Sequence, residues 1–200
     1  MSQKLIAEGA EAKVFREKSS IFKKRISKGY RHKELDKKIR TRRTRSEAKI
    51  LSKALEAKIN VPKVINTDKF DIEIEYLKGE RLSEKLNSYS ERKQFNIMKD
   101  LGVQTAKLHE NDIIHGDLTT SNTLLIKNKV FIIDFGLGFV SKKIEDRAVD
   151  LHLIKQALIS KHFQNPEALF KNFLNGYNPK EKNRILERLV VVEKRGRYRH

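Results

Sequence analysis

Cysteine is absent from the 200 residues. That excludes disulfides and thiolate metal sites and fits a reducing compartment. No apolar run approaches the length of a membrane span, and Met1-Ser2-Gln3-Lys4 does not open a signal peptide. A cytoplasmic protein with no membrane partner is therefore expected. The chain contains no internal repeat and no low-complexity segment. Acidic residues are few: 26 Asp and Glu stand against 44 Lys and Arg, a formal charge of +18. Charged residues make up 35% of the chain, and a mean hydropathy of −0.63 indicates a soluble protein. This length suffices for one compact domain or for two small lobes sharing a cleft.

The most informative stretch is His115-Gly116-Asp117-Leu118-Thr119-Thr120-Ser121-Asn122, followed by Ile132-Ile133-Asp134-Phe135-Gly136. It reads as the catalytic loop and metal loop of a protein-kinase-like enzyme. Phosphoryl transfer from ATP needs a carboxylate near the attacking oxygen, ligands for Mg²⁺ and cations on the phosphates. Asp117 meets the first need, and Asn122 and Asp134 the second. Thr123–Lys127 and Val130–Ile133 are Ile/Val-rich runs around polar Asn128-Lys129, a hairpin that returns Asn122 and Asp134 to one edge. Asp117 alone or Asn122 alone would read as a turn residue. His115 is expected to be a packed anchor and not an acid or base.

Residues 1–79 read as a small strand-rich lobe and residues 80–200 as a helical lobe, together one catalytic domain. Strands are expected at Leu5–Ala7, Lys13–Arg16, Ser20–Lys24, Val64–Ile65 and Phe70–Tyr76. A helix over Lys33–Ala57 turns Ala48, Leu51, Ala54 and Leu55 inward. Leu77-Lys78-Gly79 is the expected hinge. Further helices are expected over Leu82–Asn87, Ser90–Glu110, Asp150–Lys161, Pro166–Leu174 and Pro179–Lys194. In the second of these, Phe95, Met98, Leu101, Val103, Ala106 and Leu108 are expected to form the buried stripe. The fold class is thus α+β: a minimal bilobal kinase-like fold with a small antiparallel-sheet lobe carrying one helix.

The first lobe offers ATP a reduced set of contacts. Registered on Val14, the three glycines of a phosphate loop fall on Ala7, Gly9 and Ala12, so one glycine remains. The Gly9-Ala10 turn is the expected phosphate contact, with a plain hairpin turn as the alternative. Ser20-Ile21-Phe22-Lys23 fits the strand bearing the phosphate-binding lysine. Strand alternation lets only one of Lys23 and Lys24 face the cleft, and registry favours Lys23. Glu47 is the expected partner of Lys23. Backbone groups of Glu75 and Leu77 are expected at the adenine edge.

Two departures from ordinary protein kinases stand out. The His-Arg-Asp triplet is His115-Gly116-Asp117, which removes the arginine that pairs with a phosphorylated activation loop. From Gly136 to Asp150 there is only the short run Leu137–Val149 with no Ala-Pro-Glu element. The helical lobe therefore lacks an activation segment, which points to ATP hydrolysis or to an unusual acceptor. Asp150 either opens a helix and holds the catalytic loop from beneath, or is a plain N-cap.

Arginines cluster at Arg40, Arg42, Arg43 and Arg45, and again in Lys194-Arg195-Gly196-Arg197-Tyr198-Arg199-His200. With a pI near 10.0, these clusters favour an RNA-facing surface over a merely solvated one. Arg40, Arg43, Lys194, Arg195, Arg197 and Arg199 are the candidate contacts.

Glu8-Gly9-Ala10-Glu11-Ala12, Lys28-Gly29-Tyr30-Arg31-His32, Arg43-Thr44-Arg45-Ser46-Glu47-Ala48, the catalytic loop and Arg195-Gly196-Arg197 together resemble the small atypical kinase/ATPase of the KEOPS complex, the bud-site-selection kinase family. The resemblance covers essentially the whole chain. It implies an ATP- and Mg²⁺-dependent ATPase with residual serine/threonine kinase activity that supports threonylcarbamoyladenosine formation in tRNA. It also implies two protein partners: the threonylcarbamoyl-transferase subunit, fused to the kinase in some archaea, and a small regulatory subunit on the N-lobe. The competing expectations are another atypical kinase, of the ribosome-assembly or small-molecule type, and a non-catalytic tRNA-binding scaffold.

Overall fold

A computed structural model of the chain describes residues 4–9 and 11–197. The N-terminal lobe is a five-stranded antiparallel sheet in the order β1-β2-β3-β5-β4, made of Lys4–Glu8, Ala12–Glu17, Ser20–Arg25, Asp71–Glu75 and Val64–Thr67 respectively. Helix α1 (Lys33–Glu56) crosses it. Its buried residues Asp36, Thr44, Glu47, Ile50, Leu51 and Ala54 repeat at helical spacing. Leu55, expected inside, is 43% exposed because it falls at the margin of that stripe. The helix closes in a Schellman arrangement. Lys58 takes φ 56, its N–H donates to Leu55, and the Ile59 N–H donates to Ala54.

The segments around α1 are tied by charge. Asp36 accepts from Arg40 Nε at 2.7 Å, from Ser27 Oγ at 3.0 Å and from the Lys28 N–H at 3.2 Å. Glu11, in the β1–β2 turn, is held by Arg31 at 3.4 Å and Arg43 at 2.8 Å. A turn with few glycines is thus fixed by two arginines from behind.

Beyond the hinge, β6 (Glu80–Arg81), α2 (Leu82–Lys85) and a 3₁₀ turn at Leu86–Ser88 lead into α3 (Glu91–Glu110). Strand β7 (Ile113–Ile114) precedes the loop containing Asp117, and a second 3₁₀ turn spans Thr120–Asn122. Strands β8 (Thr123–Ile126) and β9 (Lys129–Ile132) pair with a two-residue turn at Lys127 and Asn128, both at positive φ. That turn type matches the twist of the strands. Strand β10 (Phe139–Val140) pairs with β7. Helices α4 (Ile144–Lys161), α5 (Pro166–Gly176) and α6 (Lys182–Arg197) complete the lobe.

The core of this lobe lies between α3, α4 and α5, where Leu101, Leu108, Leu151, Ile154, Phe173 and Tyr177 are fully buried. Helices α3 and α5 touch backbone to backbone at Gly102, where an added Cβ would lie 2.0 Å from the Phe173 carbonyl. Val103 corrects the expected stripe: it is 37% exposed, two positions from Leu101 and so on the opposite face. Among the described residues no helix is long and apolar enough to cross a membrane.

Candidate active site

The two lobes line a cleft of about 550 Å³. Val14, Ile21, Ile74, Leu124 and Ile133 form its apolar walls, and Lys23, Glu47, Asn122 and Asp134 its polar end. Glu75 and Leu77 line the hinge side. The N–H of Glu75 already donates to Lys63 and that of Tyr76 to Ser19. Among the described residues the Leu77 backbone takes no internal bond. Gly9 lies at the β1–β2 turn, its N–H donating to the Ala12 carbonyl at 3.0 Å. Ala10 lies outside the described residues.

Strand alternation sends Lys23 into the cleft. Its Nζ donates to Glu47 Oε1 at 2.8 Å and to Asp134 Oδ1 at 2.6 Å. Burial alone would lower the lysine's pKa, but the Glu47 and Asp134 carboxylates outweigh it and raise the value. Burial likewise pulls Asp134 upward, yet Lys23 and the Gly136 N–H prevail and its carboxyl is lowered. Arg25, which the sequence did not single out, donates from Nη2 to Glu47 Oε2 at 2.6 Å and is itself buried. Glu47 therefore serves two cations. Strand periodicity carried a signal for Arg25, two residues beyond Lys23 on the same face.

The catalytic loop is anchored at each end. His115 is fully buried. Its Nε2 contacts the Ile133 carbonyl at 3.0 Å and its Nδ1 the Asp117 N–H at 3.2 Å. These contacts occupy both ring nitrogens and leave neither for proton transfer. Asn122 Nδ2 donates to the Asp117 carbonyl at 2.9 Å and to Asp117 Oδ2 at 2.8 Å. That orients the amide so that Asn122 Oδ1 remains available, as does Asp117 Oδ1. Asp134 stands at φ 62 at the start of its loop.

Asp150 supports the loop from below. It accepts the His115 N–H at 2.7 Å and the Gly116 N–H at 2.9 Å. It neither opens a helix nor acts as an N-cap: α4 begins six residues earlier, at Ile144, and Asp150 is fully buried inside it. His109 Nε2 approaches Asp150 Oδ2 at 3.3 Å, and Tyr177 Oη meets His109 Nδ1 at 2.7 Å. Burial, reinforced by Asp150 and Glu110, holds the Tyr177 phenol protonated and far above its ordinary pKa, with Arg147 opposing. Neither His109 nor Tyr177 was legible as part of the site, because the connection runs through α4. Gly116 has φ 77, and an added Cβ would lie 2.6 Å from the Leu137 carbonyl. The arginine of ordinary kinases has no room at this position.

The candidate metal ligands suit a hard cation. Asp134 Oδ2 and Asn122 Oδ1 are oxygen donors on one cleft edge, and Mg²⁺ is held by one or two such side chains plus phosphates and waters. Among the described residues no cluster of three or more His, Asp or Glu forms a self-sufficient metal site.

The candidate RNA contacts divide. Arg40 is bonded to Asp36 and stacks 3.9 Å over Phe70. Arg43 is bonded to Glu11 and Arg195 to Glu145. Lys194 is exposed on α6, which Arg197 ends. Arg199 lies outside the described residues.

The RIO domain model matches residues 6–150. KEOPS complex subunit Bud32 of Pyrococcus abyssi is 43% identical, covering 98% of this chain and 96% of its own. EKC/KEOPS complex subunit bud32 of Dictyostelium discoideum is 40% identical over 96% of this chain and 82% of its own. A probable bifunctional tRNA threonylcarbamoyladenosine biosynthesis protein of Methanobrevibacter smithii is 39% identical, and the chain spans 37% of its length. Among solved structures, the Rio2 kinase–ADP/Mg²⁺–phosphoaspartate complex of Chaetomium thermophilum superposes with a TM-score of 0.66 at 14% identity, covering 96% of this chain and 70% of that one. WaaP in complex with acyl carrier protein gives 0.67 at 14% identity, covering 96% and 88%; both likenesses concern the kinase-like fold alone. Matched over most of its length by the domain model and end to end by the Pyrococcus protein, the chain belongs to the RIO-domain kinase-like family, on its KEOPS-subunit Bud32 branch.

Proposed function

We propose that this protein is a Mg²⁺- and ATP-dependent phosphoryl-transfer enzyme that works mainly as an ATPase within a KEOPS complex and supports threonylcarbamoyladenosine formation in tRNA. The names borne by its relatives support the pathway. The carrying observation for the chemistry is the convergence of Lys23, Glu47, Asn122 and Asp134 at one end of an apolar cleft, with Asp117 locked to Asn122.

Bound Mg²⁺–ATP supplies the electrophilic phosphoryl group and neutralises its charge. Lys23, cationic throughout the neutral range, turns its remaining N–H to the α- and β-phosphates. Asp134 and Asn122 hold the metal through oxygen. The Leu77 backbone meets the adenine edge between apolar walls that exclude water, and the Gly9 turn covers the phosphates. Asp117 Oδ1 accepts a hydrogen bond from the nucleophile and orients it. Residues 135–143 are all that separates the metal loop from α4, which favours water over a docked peptide as the usual acceptor. Residual transfer to serine or threonine uses the same groups. In this reading residues 1–79 carry the nucleotide-facing lobe and residues 80–200 the catalytic loop. The partners are the transferase subunit and a small regulatory subunit on the N-lobe, and the setting is the cytoplasm.

Phosphate release from ATP by the purified chain tests the chemistry. Turnover requiring Mg²⁺, rising with the transferase subunit and tRNA and lost in Asp134→Ala is expected. Equal turnover in that variant would refute it.

A further inference from the structure

Helix α1 divides its cations into two sets. Lys37 pairs with Glu34, Arg40 with Asp36 and Arg43 with Glu11. Lys38, Arg42, Arg45 and Lys49 are all exposed, and among the described residues none of these four side chains has an ion pair, hydrogen bond or ring contact. Their spacing of four, three and four residues places them on one helical face. At about 1.5 Å per residue the stripe is about 16 Å long. Every exposed residue from Lys37 to Lys49 is a lysine or an arginine. The one acid between Lys38 and Lys49 is Glu47, which is buried on the opposite side against Lys23.

Like charges at these spacings weaken a helix, so the stripe does not serve helix stability. A protein partner would be expected to use buried apolar or aromatic anchors. No exposed apolar side chain lies between Lys38 and Lys49. Regularly spaced lysines and arginine forks fit a line of phosphates instead.

We propose that Lys38, Arg42, Arg45 and Lys49 bind the sugar-phosphate backbone of an RNA. The inference rests on the RNA-linked reading above and deepens it by relocating the contact. Clustering in the sequence points to Arg40 and Arg43, whereas their neighbours on the outer face are the free ones. The RNA backbone lies on the side of α1 away from the cleft, so this contact holds RNA without presenting that segment to Asp117. The same helix carries Glu47 inward, which places RNA capture and the phosphate lysine on two faces of one rigid element.

The test is fluorescence anisotropy of the full chain with a labelled tRNA transcript between 50 and 200 mM salt. Each phosphate contact contributes about 0.9 to the slope of log affinity against log salt on a duplex. Arg42→Gln/Arg45→Gln is expected to bind more weakly and to lose about 1.8 units of slope. Over that fourfold salt range its affinity then falls about 12-fold less than that of the wild type. Lys37→Gln, which removes a cation already paired, is expected to leave the slope unchanged. A double variant with wild-type slope and affinity would overturn the stripe, as would an equal effect of Lys37→Gln. If Lys194→Gln/Arg195→Gln alone abolished binding, the stripe would fall and the RNA reading would stand. Absence of RNA binding by the wild type would overturn both.

Discussion

Glu47 and Arg25 meet at 2.6 Å inside the N-lobe, their side chains 2% and 3% exposed, while the second oxygen of Glu47 holds Lys23. One carboxylate thus fixes Lys23 and neutralises a buried guanidinium. Removing one partner of such a pair strands the other in the interior, which costs about 3–5 kcal/mol. Glu47→Ala is expected to lower stability by that amount in urea titration and to weaken ATP binding. A variant as stable as the wild type would show that Arg25 finds another partner.

Asp150 tests the support of the catalytic loop. An asparagine there keeps one acceptor but turns an amide N–H toward one of two backbone donors, leaving a buried group unsatisfied at about 1–3 kcal/mol. Asp150→Asn is expected to lose stability in that range and to lower kcat more than it raises KM for ATP. An unchanged kcat would mean that the loop holds its shape without the carboxylate.

Gly116 sets a backbone requirement. Any side chain there sits at φ 77 against the Leu137 carbonyl, with about 1–2 kcal/mol of left-handed strain before the clash is counted. Gly116→Arg, which restores the usual kinase triplet, is expected to reduce turnover about 10²-fold through displacement of Asp117. Gain of peptide phosphorylation in that variant would contradict this view of the loop.

His162 gives the fold a pH response. Burial, with Lys161 adding to it, holds its pKa below the ordinary value. The neutral ring bridges Asn87 Oδ1 at 2.6 Å and Thr120 Oγ1 at 3.1 Å, beneath the catalytic loop. The unfolded chain takes up this proton near pH 6.5, and the native chain only lower. The stabilising contribution is therefore complete above that pH and is lost as pH falls through the native value. Between pH 7.5 and 5 the wild type is expected to lose more Tm than His162→Gln. Parallel pH profiles would remove His162 as a source.

The sequence made much of this architecture legible through local signals. Ile/Val runs marked β8 and β9, and the spacing of Asp117, Asn122 and Asp134 survives any rearrangement elsewhere. The N-terminal part of α4 escaped because Glu145, Asp146 and Arg147 break the apolar rhythm there. Arg147 is nevertheless buried, paired with Asp112 at 2.8 Å and Glu181 at 2.7 Å. Those partners are distant in the chain. Tyr177 and His109 escaped for the same reason. The arginine cluster hid a division: a helix sends Arg40 and Arg43 to acids and Arg42 and Arg45 to solvent, which adjacency in the sequence does not reveal.

Phosphoryl chemistry at Asp117, and not nucleotide binding alone, is expected to support tRNA modification. Its most direct test is threonylcarbamoyladenosine formation by a reconstituted complex containing either the wild-type chain or Asp117→Asn, with assembly and ATP binding verified for both. The variant complex is expected to assemble and bind ATP but to leave the tRNA unmodified. Modification at the wild-type rate, with ATP hydrolysis abolished, would contradict it and make the protein a scaffold.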